Sequence, residues 1–361
     1  MVLIIRKIAA FLLAFALLLT TAAYADGAPG ISAKAAIVIS SGGEAVFEKN
    51  ADERMLIAST TKIMTALVAL ENAELTDEVE IPAQCCGVEG SSMYLCPGDK
   101  YTLGELIRGL LLVSGNDAAS AIAVYTAGSE AKFVAMMNSR AKALGMTNTH
   151  FENPHGLDAP GHYSTARDLA RLMAHCMENP DFARICAMTS CNVGGQTLVN
   201  HNRLLSLCDG CIGGKTGYTM AAGRCLVSCC ERGESRFICV TLSAPDDWND
   251  HMKLYDWAFS NFSTRLVTEG VGFDVPVISG SAESARLIPE DMRLFLPSSA
   301  EVELRAELPW FVFAPVKAGE EGGSLGAYLN GEEIGRCRLI YEKDIPAAKR
   351  MFNQTSMESL K

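Results

Sequence analysis

The order of strand-like and helix-like runs in this 361-residue chain constrains how it can fold. Apolar β-type runs at 35–39 and 45–48 flank a Ser-Ser-Gly-Gly turn and predict a hairpin. Strand-like runs return only at 225–230 and 236–243, after a long segment in which apolar residues have helical spacing. A sheet that includes both ends of this segment must join strands that are distant in sequence. The sequence therefore predicts a helical region enclosed by one non-locally assembled sheet.

Helices are predicted where apolar positions recur every three or four residues. The first such run, at 60–70, has Ile63, Met64 and Leu67 at helical spacing. Further helical runs lie at 103–113, 117–127, 130–144, 165–178 and 248–260.

The character of the sequence changes past residue 262, where short alternating runs are separated by Pro and Gly. These runs lie at 273–278, 291–296 and 301–306. Asn330-Gly331 stands between two further apolar runs, which is typical of a type I′ hairpin. We read 263–345 as a small C-terminal all-β domain and 346–361 as a polar tail.

Residues 1–25 are organised like a secretory signal peptide. Arg6 and Lys7 precede an apolar run at 8–19, and small residues precede the expected cleavage position. The run is short for a membrane span, so cleavage is favoured over a retained anchor. We therefore expect the main domain, 26–262, to be exported to the cell wall, the outer face of the cytoplasmic membrane or the periplasm.

The charge balance argues against nucleic acid as a partner. The formal net charge is −11, and it becomes −13 when the two cations of the signal peptide are removed. Such an acidic protein is repelled by polyanions and gains no electrostatic hold on anionic membranes. The tail presents only a small apolar face at Ala348, Met351 and Phe352, so a frayed end is favoured over a membrane anchor.

The chain contains 13 cysteines, an odd number for a protein that is expected to be exported. Most stand among apolar residues, where a free cysteine packs as a small hydrophobic side chain. Only Cys208 and Cys211 have the C-x-x-C spacing of a metal or redox motif. No second pair accompanies them to complete a zinc site, so we expect no metal and no cofactor. Whether the cysteines are bridged or free stays open.

Three short motifs occur in order along the chain, and the first places a serine and a lysine one helical turn apart. Ser59 precedes the helix predicted at 60–70, and Lys62 follows it at i+3 on the same face. A lysine buried among apolar residues has its ammonium form disfavoured, so a neutral amine could take the proton of Ser59. The helix N-terminus offers N–H groups where an oxyanion would form. Alternatively, Ser59 is only an N-cap.

The second motif, Ser114-Gly115-Asn116, follows an apolar segment that would anchor a loop beside a cleft. In a catalytic interpretation Ser114 passes a proton between the leaving group and Lys62, while Asn116 positions Lys62 and the substrate amide. The alternative is an ordinary turn, which these residue types favour.

The third motif, Lys215-Thr216-Gly217, stands ahead of the strand-like run at 225–230. A strand edge at this place can pair with an extended peptide, and Gly217 permits a close backbone approach. Lys215 and Thr216 would attract the terminal carboxylate of that peptide. The alternative is an exposed turn with a solvated lysine.

Together the three motifs resemble those of the low-molecular-mass penicillin-binding proteins, the serine-type D-alanyl-D-alanine carboxypeptidases. The likeness runs from about residue 31 to 262. Further stretches that are similar to the family lie at 90–95, 110–119, 153–158, 162–166 and 202–205. The resemblance implies an α/β (α+β) fold, namely a β-lactamase/transpeptidase-like domain. In that domain a helical cluster packs against a mainly antiparallel sheet and the active site lies between them.

The resemblance also implies residue roles. A peptidoglycan pentapeptide ending in D-Ala-D-Ala would acylate Ser59 and release D-alanine, water would then hydrolyse the acyl-enzyme, and β-lactams would inhibit. The backbone N–H groups of Ser59 and Tyr218 would form the oxyanion hole. Arg203 matches a family arginine near the substrate carboxylate, with a surface ion pair as the alternative. His155 and His162 lie in a loop that is similar to the family, and we expect structural roles for them.

Other activities are weighed against this one. A class A β-lactamase would carry a Glu four residues before an Asn, and no such pair lies between Asn116 and Lys215. A D,D-transpeptidase or endopeptidase would differ only in the acyl acceptor. A catalytically silent, penicillin-sensing wall-binding module would normally lack one of the reactive residues, and all of them are present.

Overall fold

The computed structural model describes residues 27–348. The expected signal peptide and most of the expected tail lie outside these residues. The chain divides into two compact units, one up to Ser260 and the other from Asn261 onward. We describe each unit by itself.

The first unit contains one main sheet and two small two-stranded sheets. Its strands are β1 Ala35–Ser40, β2 Ala45–Lys49, β3 Glu78–Glu80, β4 Lys100–Thr102, β5 Ser190–Val193, β6 Gln196–Val199, β7 Cys211–Thr219, β8 Gly223–Arg232 and β9 Ser235–Leu242. Its helices are α1 Lys62–Asn72, α2 Leu103–Leu112, α3 Asn116–Ala127, α4 Glu130–Ala143, α5 Ala166–Cys176, α6 Pro180–Cys186, α7 Leu204–Leu207 and α8 Asp247–Asn261, which ends at the boundary.

The main sheet is assembled non-locally, as the sequence predicts. Its order is β2-β1-β9-β8-β7, and every neighbouring pair is antiparallel. β1 pairs with β9 from Ala35 opposite Leu242 to Ser40 opposite Phe237. β7 lies at the edge of this sheet, so one side of its backbone has no neighbouring strand among residues 27–348. The predicted hairpin and all predicted helices are present, whereas α6, α7 and the two small sheets were not predicted.

β1 is apolar from Ala35 to Ile39 because both faces of the sheet are covered. Ala35, Ile37 and Ile39 face the main hydrophobic core, and Ala36 faces a small cluster on the opposite side. Side chains alternate between the two faces of a strand, so covering both faces replaces the usual apolar-polar alternation by a continuous apolar run.

The start and end of α2 fix the loop that carries Ser114. Thr102 caps the helix in a capping box with Glu105, whose side chain accepts a hydrogen bond from the Thr102 N–H. The apolar face of α2, including Leu106 and Leu110, is fully buried in the core. The loop that follows the last helical residue is therefore held against the interior of the unit.

A buried polar network joins α8 to the main sheet. His251 Nδ1 lies 2.7 Å from Ser228 Oγ, and His251 Nε2 lies 3.0 Å from Thr241 Oγ1. The hydroxyl of Tyr255 lies 2.7 Å from the same Ser228 Oγ. Burial disfavours the imidazolium and lowers the pKa of His251 to about 3.

The second unit is built from strands in the described residues. They are β10 Phe262–Leu266, β11 Phe273–Ile278, β12 Ser284–Pro289, β13 Arg293–Pro297, β14 Glu303–Glu307, β15 Val312–Phe313, β16 Glu321–Leu329 and β17 Glu332–Tyr341. β10 pairs with β13, and the others form a sheet in the order β14-β16-β17-β12-β11-β15. Asn330 and Gly331 both have positive φ, +52° and +86°, and join β16 to β17 as the predicted two-residue hairpin.

Among residues 27–348, no helix combines the length and apolar character that crossing a lipid bilayer requires.

The pKa of His251 predicts a loss of stability in acid. An unfolded histidine takes a proton below about pH 6.5, whereas His251 in the folded chain stays neutral down to about pH 3. The unfolded state therefore binds more protons in this interval, and the free energy of unfolding falls as the pH falls, by at most about 1.4 kcal/mol per pH unit. We expect His251→Gln to be less stable at pH 7 but to lose stability less steeply between pH 6 and pH 4 in urea unfolding.

His150→Gln is the matched control, because His150 is exposed. This substitution should leave the slope of unfolding free energy against pH as it is in the native chain. Equal slopes of unfolding free energy against pH for the native chain and His251→Gln would contradict the lowered pKa of His251.

Candidate active site

Ser59 lies in a tight 3-10 turn, Ala58–Thr61, that leads directly into α1. Ala58 adopts a left-handed conformation with φ of +47°, which is uncommon for a residue with a Cβ atom. Ser59 caps neither the turn nor α1, because Ile57 and Thr61 hold those positions. The interpretation of Ser59 as an N-cap is therefore wrong, and its half-buried side chain is free for another role.

A relay of hydrogen bonds supports the strained residue before Ser59. The N–H of Glu152 donates to Nδ1 of His162, so Nε2 carries the hydrogen and lies 2.7 Å from Thr61 Oγ1. The Thr61 hydroxyl in turn donates to the carbonyl oxygen of Ala58 over 2.9 Å. Burial lowers the pKa of His162 to about 4, which keeps this tautomer neutral at neutral pH. The imidazole thus braces the turn.

Two glycines let backbone approach this turn closely. A Cβ atom at Gly156 would lie 2.0 Å from the carbonyl oxygen of Ala58, and Gly156 also has φ of +89°. A Cβ atom at Gly217, on β7, would lie 3.0 Å from the Ser59 nitrogen and 3.0 Å from the carbonyl oxygen of Ile57. Only glycine permits these two approaches without displacement of the neighbouring backbone. The approach at Gly217 places β7 directly beside the N–H of Ser59.

Lys62 is fully buried, and its amine reaches three oxygen atoms. Nζ lies 2.9 Å from Ser59 Oγ, 2.6 Å from Asn116 Oδ1 and 2.6 Å from the carbonyl oxygen of His155. The amide oxygen and the carbonyl can only accept hydrogen bonds. A neutral amine that donates its two hydrogens to them directs its lone pair at the third partner, the hydroxyl of Ser59.

Burial favours this neutral amine. Loss of solvation, reinforced by the nearby charge of Lys215, lowers the pKa of Lys62 well below its usual value, and the carboxylate of Asp117 opposes the shift. The structure therefore brings together a hydroxyl and an amine of reduced proton affinity, which is the arrangement of an activated nucleophile and its base.

The second motif provides the next wall of the site. Ser114 is buried in a left-handed conformation with φ of +62°, and its hydroxyl makes no hydrogen bond to another residue within 27–348. Asn116 begins α3, and its side-chain amide donates to the carbonyl oxygen of Glu89. That contact fixes the orientation of the amide, so its oxygen faces Lys62.

Asp117 is a positioning residue that the sequence analysis did not single out. Its buried carboxylate accepts hydrogen bonds from the Ser92 hydroxyl at 2.6 Å and from the N–H groups of Met93 and Leu95 at 2.9 and 3.1 Å. These contacts fasten the 91–95 segment to the start of α3. The sequence did contain a clue to Asp117, because the stretch at 110–119 that resembles the family extends past Asn116.

The third motif lies on the edge strand β7, where the sequence predicts a strand edge. Lys215 is buried and donates to the carbonyl oxygen of Thr216 at 2.8 Å. Burial lowers the pKa of Lys215 to about 7. Thr216 is half-buried and Tyr218 is exposed, so the strand presents both to the space in front of Ser59.

A cavity of about 590 Å³ opens at this place. It is lined by Ser59, Ser91, Ser114, Asn200, His201, Arg203, Thr216, Gly217, Tyr218, Arg224, Asp247 and Trp248. Lys62, Asn116 and Lys215 lie behind the lining residues. Arg203 is exposed and forms no ion pair with a residue of the described chain, so the alternative of a surface ion pair does not apply.

The lining also includes a group that sequence reasoning missed. Arg224 donates to the carboxylate of Asp247 at 2.9 Å and lies over the ring of Trp248, 5.5 Å from its centroid. β8 and α8 bring these residues together, and no short motif links them in the sequence.

All 13 cysteines lie within the described residues, and each is a free thiol. Across 27–348, no group of three or more His, Cys, Asp or Glu side chains is arranged to hold a metal ion.

Comparisons with known proteins point in one direction. A sequence profile of the family described as D-alanyl-D-alanine carboxypeptidase matches residues 22–246. The chain is 35% identical to the D-alanyl-D-alanine carboxypeptidase DacC of Escherichia coli (strain K12) over 365 residues, which cover 93% of this chain and 90% of that protein. It is 32% identical to the D-alanyl-D-alanine carboxypeptidase DacF of Bacillus subtilis (strain 168) over 336 residues, which cover 88% of this chain and 86% of that protein.

The structure is similar to that of penicillin binding protein 5 from Haemophilus influenzae. The TM-score is 0.69 at 31% sequence identity, and the match covers 88% of this chain and 98% of that one.

The approach of β7 to Ser59 predicts the effect of filling Gly217. In Gly217→Ala the new methyl group must push β7 away from the Ser59 turn by a few tenths of an ångström. We expect the rate at which a β-lactam acylates the protein, followed by mass spectrometry of the intact chain, to fall about 10- to 100-fold because groups of the site are displaced. Gly30→Ala is the control, since a Cβ atom there meets nothing within 4 Å. Equal rates for both variants would contradict the proposed packing.

Proposed function

The chain belongs to the D-alanyl-D-alanine carboxypeptidase family of serine peptidases, and we propose that Ser59 is its nucleophile and Lys62 the base. The family and the fold class predicted from the sequence are thereby confirmed. The proposed roles of Ser59 and Lys62 rest on one observation. Lys62 Nζ lies 2.9 Å from Ser59 Oγ while two pure acceptors take its other hydrogens.

The substrate is a peptidoglycan stem peptide that ends in D-Ala-D-Ala. The free edge of β7 supports this proposal, because an extended peptide can pair with it as an added strand. Arg203 at the cavity and Lys215 behind Thr216 supply positive charge for the terminal carboxylate. A bound carboxylate stabilises the ammonium form of Lys215, whose burial alone holds the pKa at about 7.

Acylation begins when Ser59 Oγ attacks the carbonyl carbon between the two D-alanines. The hydroxyl proton passes to Lys62 Nζ as the oxygen–carbon bond forms. The negative oxygen of the tetrahedral intermediate accepts hydrogen bonds from the N–H groups of Ser59 and Tyr218. The proximity of Gly217 to the Ser59 nitrogen supports this oxyanion hole, since it places the adjoining backbone of β7 beside that N–H.

Collapse of the intermediate breaks the carbon–nitrogen bond. The departing amine of D-alanine takes a proton from Lys62 through the Ser114 hydroxyl, which no described residue engages. Asn116 holds the lysine amine in place during both transfers. Water then attacks the ester of Ser59 and gives up a proton to Lys62, which returns it to Ser59 Oγ as the shortened peptide leaves.

A β-lactam reacts at the same atoms. Its strained amide carbonyl acylates Ser59, but the leaving nitrogen remains tethered to the acyl group and does not diffuse away. The chain lacks a Glu-to-Asn pair of the class A β-lactamase kind, so we expect slow hydrolysis and covalent inhibition. The substrate is part of the cell wall, and we propose that the protein acts there after export.

Substitution at Ser59 and Lys62 tests the chemistry. We expect Ser59→Ala to take no label from a fluorescent penicillin and to release no D-alanine from a Lys-D-Ala-D-Ala peptide. Lys62→Met keeps the length of the side chain without a base, and its labelling rate should fall by about two to four orders of magnitude. Lys142→Met on the exposed face of α4 is the control. Near-normal labelling of Lys62→Met would refute the role of Lys62.

The same assay separates the competing functions. Labelling without release of D-alanine would favour a silent penicillin-sensing module. Rapid loss of the label would indicate a β-lactamase. Formation of a new peptide bond with an added amine acceptor, in excess of hydrolysis, would indicate a transpeptidase.

Arg203 is tested through the charge of the substrate. We expect Arg203→Gln to raise KM about tenfold or more for a peptide ending in a free D-Ala-D-Ala carboxylate, because a charged hydrogen bond is lost. The amidated peptide lacks that charge, so Arg203→Gln should change its KM little. Arg184→Gln, on the surface of α6, is the control. An equal loss for both peptides would contradict a carboxylate-binding role.

A further inference from the structure

Three thiols meet where β7 begins, away from the residues assigned to catalysis. Cys208 follows α7, Cys211 is the first residue of β7, and Cys230 lies on β8. Cys208 and Cys230 are buried, and their sulfur atoms lie 3.7 Å apart. Cys211 is half-buried and provides the more open side of the group.

The strand register brings Cys211 to the same partner. Cys211 is opposite Cys230 in the antiparallel pair of β7 and β8. The N–H of Glu231 donates to the carbonyl oxygen of Gly210 at 2.8 Å, which makes the Cys211–Cys230 pair a non-hydrogen-bonded one. In such pairs the Cα atoms are about 4.5 Å apart, within the range that a disulfide spans. Cys230 therefore has two possible partners.

The electrostatic setting distinguishes these thiols from the others in the core. A hydrogen bond from the Cys230 thiol, together with the charge of Arg232, lowers the pKa of Cys208. Hydrogen bonding from Cys230 also lowers the pKa of Cys211, and the pKa of Cys230 is raised in return. By contrast, burial raises the pKa of other core cysteines. These are Cys85, Cys176, Cys186, Cys225, Cys229 and Cys239.

We propose that Cys208 and Cys230 form a thiol–disulfide exchange site, with Cys211 as the alternative partner of Cys230. The oxidant is a disulfide, either of low molecular mass or in a thiol–disulfide oxidoreductase. The Cys208 thiolate attacks one sulfur of that disulfide, whose S–S bond breaks and releases the first thiolate. Cys230 then attacks the Cys208 sulfur, its proton passes to solvent, and the second thiolate leaves. Two protein thiols are oxidised and one external disulfide is reduced to two thiols.

The cross-link would act on the part of the cavity wall that carries Arg203. Arg203 and Cys208 are the N-cap and C-cap residues of the one-turn helix α7. A covalent bond from Cys208 to β8 thus ties this short helix to the main sheet. A cross-link of this kind also removes conformational freedom from the unfolded chain, so it stabilises the fold.

The site is tested on the full chain by oxidation and mapping. The reduced protein is incubated with glutathione disulfide, remaining thiols are alkylated under denaturing conditions, and linked peptides are identified by mass spectrometry. Cleavage before Asp209 separates Cys208 from Cys211, and fragmentation distinguishes Cys230 from its neighbour Cys229. We expect a Cys208–Cys230 link as the first product. Stable free thiols at both positions, or equally fast linkage among other cysteines, would overturn the proposal.

Variants separate the two partners of Cys230. Cys208→Ala should redirect the link to Cys211, and Cys230→Ala should abolish it. Cys239→Ala, which removes a buried thiol from the neighbouring strand β9, should leave it unchanged. If Cys230→Ala fails to fold, the double variant of Cys208 and Cys211 to alanine must show no link to Cys230.

Thermal unfolding gives an independent readout. Oxidation should raise Tm by several degrees in the native chain and in Cys239→Ala. No rise is expected in Cys230→Ala. A rise of equal size in that variant, or none in the native chain once the link has formed, would contradict a stabilising cross-link.

Discussion

The active site depends on one buried amine. Taking Lys62 out of water is unfavourable for its charged form, and the surrounding chain must supply a hydrogen-bond partner for every N–H. Asn116 and the carbonyl oxygen of His155 do so from two segments far apart in sequence. The same burial lowers the pKa of the amine, so the arrangement that the fold must support is also the one that activates Ser59 in the proposed mechanism.

Much of the remaining structure serves to bring partners to that amine. Asp117 fastens the 91–95 segment to α3, and His162 supports the turn that presents Ser59. Ala58 and Ser114 both adopt left-handed backbone conformations at the site. Such conformations persist only where neighbouring contacts determine them, so strain at these residues is offset by the packing of the whole helical layer.

The sequence predicted the side chains to which the proposed chemistry is assigned and missed the residues that hold them in place. Ser59 and Lys62 are three residues apart, so their proximity follows from local spacing, and the apolar run at 35–39 likewise predicted a strand. The contacts of Asp117 and the meeting of Arg224 with Trp248 depend on which elements pack together, which local pattern does not specify. Helices as short as α7 bury too little apolar surface to leave a periodic signal.

The exposed edge of β7 has a consequence for how the molecule behaves in a crowded solution. An unpaired strand is a template for any extended chain, including a second copy of the same protein. Many proteins suppress this hazard by covering the edge or by placing proline there, but a strand with the peptide-binding role proposed for β7 must stay open. The register shift between Cys211 and Gly213 and the buried Gly217 shorten the flat part of this edge. In the proposed binding mode, the shape of this edge therefore favours a short peptide over the longer strand of a self-associating partner.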